Sequence, residues 1–185
     1  MTKYDQARQV HPVPRLVAFF GVPGVGKTTM AEAVLSRTYA SYVNKDRIAM
    51  AFTNDVEGEF YKKTVAPASY RILWDLARDN LSRGQSVFLE SPFNNLLRGE
   101  RDENLDRISR ETSSFLKLIC CTAPNDVVKA RIIQRAEPRD KWKLDNWDAY
   151  IAKAHVHRVQ VPHITINTTD NVRTNVDRVL SYLAE

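Results

Sequence analysis

The chain has 185 residues, of which 43% are hydrophobic and 26% are charged, and its formal net charge is +5. This length predicts a single domain with a core large enough for a five-stranded sheet. No apolar run reaches the roughly 18 residues of a membrane-spanning helix, and no signal-peptide pattern opens the chain. We therefore expect a cytoplasmic protein without membrane contact, whose moderate basic charge suits phosphate ligands without indicating nucleic acid.

Strand and helix patterns alternate along the chain, which predicts a parallel α/β sheet. We expect a tail over 1–14 and one domain over 15–185. The expected strands cover 16–20, 42–44, 86–90, 115–121 and 163–167. The expected helices cover 29–38, 46–52, 67–83, 125–136, 145–159 and 172–183.

The helix expected over 67–83 has the clearest apolar periodicity. Pro67 is expected to open this helix and Gly84 to end it. Its predicted apolar face consists of Ile72, Leu73, Leu76, Ala77 and Leu81.

The chain has two cysteines, Cys120 and Cys121, which are adjacent in the apolar run 115–121. Neighbouring strand residues point to opposite faces of a sheet, so we interpret both as core thiols. A disulfide or zinc site is not expected here. His155 and His157 lie two residues apart on a predicted helix, and one helix face cannot present both to one metal.

The segment 21–28 reads Gly-Val-Pro-Gly-Val-Gly-Lys-Thr and matches the phosphate-loop pattern G-x-x-x-x-G-K-[ST] without a mismatch. An apolar strand precedes it and a helix follows, which disfavours the alternative of a glycine-rich turn with a solvated lysine. Glycines let backbone N–H groups converge on one anion, and the helix N-terminus adds partial positive charge. The loop predicts nucleotide binding by Gly21, Pro23, Gly24, Val25, Gly26, Lys27, Thr28 and Thr29. Among these, Lys27 is expected on the β- and γ-phosphates and Thr28 on Mg²⁺.

Ligands of open parallel sheets bind beyond the carboxyl ends of the strands, and Asp46 follows the second strand there. A carboxylate at this place can accept the proton of an acceptor hydroxyl as that oxygen attacks the γ-phosphate. The alternative is a helix N-cap, a frequent role of aspartate that is compatible with the first.

Glu90 closes the apolar strand 86–89, in the manner of a Walker B strand. It is expected to serve Mg²⁺, through a water molecule rather than directly. Ser91 is an alternative polar group for the metal, and a solvated strand-end acid is the plainer interpretation of Glu90.

A run of basic residues over 131–143 predicts a short lid. Arg131 and Arg135 are four residues apart and share a helix face, and Pro138 then breaks the helix before Arg139. Lid arginines can stabilise the charge that develops on a transferred phosphoryl group. The alternative is a solvated basic helix end, which the helix dipole favours.

The segment after the third strand begins at the same edge of the sheet and could contact an acceptor. Phe93, Asn94 and Arg98 lie closest to the strand end, and Arg47 follows Asp46 directly. Because acidic and basic residues alternate as far as residue 110, a solvated helix face is the alternative interpretation.

Together these motifs resemble small P-loop kinases, a group that includes phage-type polynucleotide 5′-kinases, chloramphenicol phosphotransferase and the zeta toxins. The resemblance rests on the loop at 21–28, Asn-Lys-Asp-Arg at 44–47, Val-Phe-Leu-Glu-Ser-Pro-Phe at 87–93 and the spaced arginines at 131–139. It implies the P-loop NTPase fold, with strand order 2-3-1-4-5 and helices on both faces. It also implies that Asp46 is the general base, that the lid carries Arg131, Arg135 and Arg139, and that Asn167 and Thr168 border the adenine.

One departure bears on the acceptor. Polynucleotide kinases carry an arginine shortly after the catalytic aspartate, whereas this chain has Ala49 at the corresponding place. We therefore expect an ATP- and Mg²⁺-dependent kinase acting on a hydroxyl of a small molecule or nucleoside-type acceptor. The alternatives are a polynucleotide 5′-hydroxyl kinase and a nucleotide-dependent switch with slow hydrolysis. Because Asn44-Lys45-Asp46 lacks the spacer of the guanine-reading Asn-Lys-x-Asp pattern, ATP is favoured over GTP.

Overall fold

The structure is a computed structural model that describes residues 12–56, 58–153 and 160–185. Most of the expected tail lies outside the described residues. His155, His157 and the expected end of the helix over 145–159 lie outside them as well.

Five parallel strands form one sheet with the order β2-β3-β1-β4-β5. This confirms the predicted fold class and strand order. In the register of the sheet Glu90 is paired with Asn44 on one side and with Phe19 on the other, so the ends of three strands meet at one edge. The strands are β1 Arg15–Phe20, β2 Ser41–Asn44, β3 Val87–Glu90, β4 Phe115–Thr122 and β5 Ile164–Asn167.

Helices cover both faces of the sheet, and no helix of the described residues is both long and apolar enough to cross a membrane. A π-helical turn covers Tyr61–Val65 and a 3₁₀ turn covers Pro138–Asp140. The α-helices are α1 Lys27–Leu35, α2 Lys45–Met50, α3 Ala66–Leu81, α4 Asn94–Leu97, α5 Glu103–Glu111, α6 Asn125–Arg135, α7 Lys141–Asp145, α8 Trp147–Lys153 and α9 Val172–Ala184.

Strand β1 is the centre of the core, because it is buried along its whole length and contributes to both faces. Leu16, Ala18 and Phe20 pack on the side of α3 and α5, whereas Val17 and Phe19 pack on the side of α1, α6 and α9. A strand buried on both faces reads as a continuous apolar run, which is why the sequence pattern located it.

Helix α3 differs from its prediction at its beginning and on one flank. Pro67 lies in the first turn of α3, as expected, but the helical path begins earlier, because the π-helical turn Tyr61–Val65 runs directly into α3. A proline has no N–H to donate and its ring crowds the preceding turn, so the wider turn before it accommodates Pro67 without a break. Gly84, at a φ of 77°, lies in the turn that ends the helix, as expected.

The apolar face of α3 is also narrower than predicted. Leu73, Ala77 and Leu81 are buried at four-residue spacing, whereas Ile72 and Leu76 are 36% and 41% exposed. The two exposed residues lie about 100° around the helix from the buried stripe. Tyr70 and Trp74, on the other flank of the stripe, pack against the same core instead.

The helix expected to begin at Asp145 differs from the structure, whereas the mixed-charge segment after β3 is helical, as one of its two interpretations expects. Asp145 ends α7 rather than beginning a longer helix, because the backbone leaves helical geometry at Asn146 before α8 starts. The mixed-charge segment after β3 folds into α4 and α5, and Asp102 caps α5 by accepting from the backbone N–H of Asn104 and Leu105.

The phosphate loop leaves β1 in direct contact with neighbouring backbone. Gly21 has a φ of +142°, and a Cβ atom there would lie 2.4 Å from the carbonyl oxygen of Cys121 on β4. Gly24 has a φ of +90° and faces Ile132 and Val128 of α6 at 2.9 and 3.1 Å from such an atom. The loop therefore needs glycine at both positions for space as well as for backbone conformation.

We expect Gly21→Ala to destabilise the protein more than Gly84→Ala. Both glycines have positive φ, which costs alanine about 1–2 kcal/mol, but a Cβ at Gly84 meets nothing within 4 Å. Only Gly21→Ala adds a clash with backbone. Urea denaturation of the two variants measures the difference, and equal losses would show that β4 yields to the loop at no cost.

Both cysteine thiols are expected to be unreactive in the folded protein. Burial raises the pKa of Cys120 to about 11 and that of Cys121 to about 12, so little thiolate forms at about pH 8. A colorimetric disulfide reagent should therefore label neither thiol before a denaturant is added and both afterwards. Rapid labelling of the native protein would mean that β4 opens to solvent.

Candidate active site

A cavity of about 960 Å³ opens at the carboxyl edge of the sheet. The loop after β1, the ends of β2 and β3, and the region from α6 to α7 form its walls. It brings together most residues that the sequence nominated, namely Pro23, Gly24, Gly26, Lys27, Thr28, Thr29, Asp46, Arg47, Glu90, Asn94, Arg131, Arg135, Arg139 and Thr168.

Lys27 occupies the centre of the loop. Its Nζ donates to the carbonyl oxygens of Gly21 at 2.8 Å and Val22 at 3.1 Å. Burial lowers the pKa of Lys27, and the carboxylates of Glu90 and Asp46 offset only part of that effect. The loop thus holds a buried cation at the N-terminus of α1, where backbone N–H groups also favour an anion.

Arg131, on α6, stabilises the phosphate loop through hydrogen bonds. One guanidinium nitrogen donates to the carbonyl of Val25 at 3.1 Å and to the hydroxyl of Thr168 at 2.8 Å, while the other donates to the carbonyl of Thr168 at 3.2 Å. A Cβ atom on Gly26 would lie within 3.3 Å of both side chains. Arg131 therefore ties α6 and the segment after β5 to the phosphate loop.

The two residues expected beside the adenine are used differently. Thr168 lines the cavity, whereas Asn167 does not. The side-chain oxygen of Asn167 accepts from the backbone N–H and the hydroxyl of Thr169, at 3.1 and 2.8 Å. Asn167 therefore shapes the turn after β5, a common use of asparagine.

Thr28 and Glu90 place two oxygen donors side by side. The hydroxyl of Thr28 donates to Oε1 of Glu90 at 2.7 Å. Hydroxyl and carboxylate oxygens are the ligands that Mg²⁺ uses in nucleotide sites, so these residues fit that ion. Ser91, the alternative from the sequence, is buried with its Oγ 2.8 Å from the hydroxyl of Tyr70 and does not line the cavity.

Asp46 points into the cavity from the first turn of α2. The N-cap of this helix is Asn44, whose side chain accepts from the backbone N–H of Asp46 at 2.9 Å and of Arg47 at 3.1 Å. The capping role considered for Asp46 thus belongs to Asn44. The Asp46 carboxylate, 39% exposed, has Lys45 Nζ 3.3 Å from one oxygen and Arg139 Nη1 3.4 Å from the other.

Lys45 is a residue that the sequence interpretation missed. Its buried Nζ donates to the hydroxyl of Tyr61 at 2.5 Å and lies 5.0 and 5.5 Å from the ring centroids of Tyr61 and Tyr70. Burial alone would lower the pKa of Lys45, but Asp46 and Tyr61 raise it, and the net shift is upward. A lysine directly before the candidate base was the signal available in the sequence.

The region from α6 to α7 is held by a buried acid that the sequence interpretation also missed. Asp140, 1% exposed, accepts from both Arg135 and Lys143, with 2.6 Å to Arg135 Nη2 and 2.6 Å to Lys143 Nζ. Burial would raise the pKa of Asp140, but these two cations lower it overall. Arg139 pairs with Glu137 and Asp46, so two of the three lid arginines reach the cavity from one anchored turn.

Two predicted acceptor contacts need correction. Phe93 is 1% exposed in the core, with its ring centroid 6.0 Å from that of Trp74, and it does not line the cavity. Arg98 lies outside the cavity and pairs with Glu100 at 3.1 Å. Chain proximity to the strand end suggested both, but the turn into α4 buries the first and carries the second away.

The other nominated acceptor residue, Arg47, lines the cavity as expected. It donates to Glu32 at 2.6 Å, and its guanidinium lies 5.4 Å from the ring centroid of Tyr42.

Several solved structures have the same fold. A proposed kinase from Chloroflexus aurantiacus J-10-fl is 22% identical, with a TM-score of 0.70 over 92% of this chain and 96% of that one. A sugar kinase from Janibacter sp. HTCC2649 is 17% identical, with a TM-score of 0.64 over 93% and 95%. The Mycobacterium tuberculosis APS kinase CysC, solved with AMPPNP and APS, is 16% identical, with a TM-score of 0.61 over 95% and 100%.

Comparison of the sequence with protein families gives a match, and comparison with curated proteins gives none. A family profile described as an AAA domain matches residues 16–157, which include the phosphate loop, β2, β3 and the basic region after α6. The chain therefore belongs to this AAA-domain family.

Proposed function

We propose that the protein is an ATP- and Mg²⁺-dependent kinase that transfers the γ-phosphoryl group to a hydroxyl of a small-molecule or nucleoside-type acceptor. The observation that carries the proposal is one cavity that contains the phosphate loop with Lys27, the Thr28–Glu90 pair and the Asp46 carboxylate. Structural neighbours described as a sugar kinase and as an APS kinase complex with AMPPNP support this class.

On the nucleotide side, the loop N–H groups and Lys27 would bind the phosphates. The carbonyl oxygens that now accept from Lys27 Nζ compensate its charge only partly, so phosphate oxygens would be better partners for it. Arg131 would act through the carbonyl of Val25, by holding the shape of the loop, and Thr168 would line the nucleotide side of the cavity.

Thr28 and Glu90 would hold Mg²⁺, Thr28 directly and Glu90 through a water molecule. When bound, this ion would neutralise charge that develops on the transferred phosphoryl group. The two side chains hold each other in place through their 2.7 Å hydrogen bond.

Asp46 would act as the general base. As the acceptor oxygen forms its bond to the γ-phosphorus, the bond from that phosphorus to the β-bridging oxygen breaks, ADP leaves, and the hydroxyl proton passes to Asp46. Lys45 and Arg139 flank the carboxylate, one at each oxygen, and hold it in place at the edge of the cavity.

Arg135 and Arg139 would stabilise the transferred phosphoryl group. Asp140 fixes Arg135 in a two-point ion pair, which presents a planar donor group to the cavity with little freedom left to lose. Arg139 reaches the cavity beside Asp46, where the acceptor hydroxyl and the γ-phosphate would meet.

The acceptor end of the cavity favours a small molecule over a polynucleotide. Ala49, which stands where polynucleotide kinases carry an arginine, is buried, and Arg47 is engaged by Glu32. Tyr61, Tyr70 and Asn94 line the same cavity as Asp46, and this combination of aromatic and polar groups suits a hydroxyl-bearing ring.

Lys27→Ala is expected to abolish ATP binding, whereas Asp46→Asn is expected to retain it and to lose transfer by roughly 10²- to 10⁴-fold. Calorimetry measures binding, and transfer of labelled γ-phosphate measures the reaction. The acceptor probes are hydroxyl-bearing sugars, nucleosides and aminoglycosides, with 5′-hydroxyl oligonucleotides as a separate arm.

Asp75→Asn is the matched control, because this α3 residue is exposed and lies outside the cavity. It should transfer phosphate at the wild-type rate. Full transfer by Asp46→Asn would remove Asp46 from the role of base, and label on oligonucleotides alone would replace the small-molecule acceptor by a polynucleotide.

A further inference from the structure

A chain of hydrogen bonds connects the candidate metal carboxylate with the helix that carries the candidate base. It runs from Glu90 on β3 through Tyr42 and Asn44 on β2 to the backbone of Asp46. Neither Tyr42 nor Asn44 has a role in the proposed reaction so far, although Asn44 lines the same cavity.

Tyr42 accounts for the second oxygen of the Glu90 carboxylate. Thr28 donates to Oε1 of Glu90, and the hydroxyl of Tyr42 donates to Oε2. A phenol hydroxyl carries its proton at neutral pH, so Tyr42 is the donor and the carboxylate the acceptor in this hydrogen bond. With a donor on each oxygen, the carboxylate has a single favoured rotation.

Asn44 uses both ends of its amide. Its Nδ2 donates to the hydroxyl oxygen of Tyr42 at 3.2 Å, and its Oδ1 accepts from the N–H of Asp46 at 2.9 Å and of Arg47 at 3.1 Å. Rotating the amide by half a turn would set a donor against two donors, so only one orientation satisfies both ends.

We propose that Tyr42 and Asn44 are positioning residues that fix the Glu90 carboxylate for Mg²⁺ and tie it to the first turn of α2. The inference rests on the proposed function, because it presumes that a nucleotide and Mg²⁺ bind in this cavity. It adds two residues that act through Glu90 and Asp46 without contacting the reacting atoms.

The test is the affinity of the wild type and variants for the ATP analogue AMPPNP, measured by calorimetry in Mg²⁺ and in excess EDTA. The dissociation constant in EDTA divided by the dissociation constant in Mg²⁺ reports how strongly Mg²⁺ assists nucleotide binding. Tyr42→Phe keeps the ring under Arg47 and removes only the hydroxyl. We expect it to reduce this ratio about tenfold, the usual effect of losing a hydrogen bond to a charged group, with the affinity in EDTA unchanged.

Asn44→Ser separates the link from the helix cap. Serine is a good N-cap but is too short to replace the amide donor toward Tyr42. This variant should reduce the ratio in the same direction, and the double variant should lose no more than Tyr42→Phe alone, because both changes interrupt one chain. Tyr182→Phe, which lies outside the cavity, is the control and should keep the wild-type ratio.

The measurements distinguish a failure of this inference from a failure of the proposed function. If Tyr42→Phe lowers the melting temperature or both affinities while the ratio stays at the wild-type value, the hydroxyl is merely structural and the inference is wrong. Additive losses in the double variant would also overturn the link. If the wild type binds no AMPPNP in either condition, the proposed function fails, and this inference fails with it.

Discussion

The site depends on one buried ammonium group. Lys27 lies inside the loop that follows β1, where the carbonyls of Gly21 and Val22 accept from it. A buried charge is costly unless other groups compensate it, and here the ends of β2 and β3 bring Asp46 and Glu90 close enough to act on its pKa. Three strand ends are thus arranged around one cation, which we propose as the anchor for a phosphate.

The two acids near this cation, Glu90 and Asp46, have different neighbours, and these neighbours suit them to different roles. Glu90 is buried and receives hydroxyl donors on both oxygens, which suits a group that orients a metal. Asp46 is partly exposed and has a cation beside each oxygen, so its carboxylate is accessible from the cavity and held in a defined orientation. Because β2 pairs with β3 and Asn44 lies beside Glu90, side chains of β2 can connect the Glu90 carboxylate with the backbone of Asp46.

The sequence predicted those features of the fold and site that depend on residues close together in the chain. The loop at 21–28 and the apolar run of β1 are contiguous, and the alternation of strands and helices predicted a parallel sheet. The strand order came from the resemblance to P-loop kinases, and the structure confirms it. The sequence did not predict which side chains would become contact partners once the turns of the chain had formed. Asp140 becomes the buried partner of Arg135 only because the 3₁₀ turn folds back, and Phe93 enters the core because its backbone reverses there at a φ of 47°.

The central claim is that the γ-phosphoryl group goes to a hydroxyl and not to water. The most direct measurement is the release of inorganic phosphate from labelled Mg²⁺·ATP by the wild-type protein, first alone and then with each group of acceptors. We expect slow release without an acceptor, because the proposed lid over 131–143 would shield bound ATP from water. When the right acceptor is present, we expect label on that acceptor. Steady release that no acceptor alters, with no labelled acceptor, would contradict it and favour a nucleotide-dependent switch.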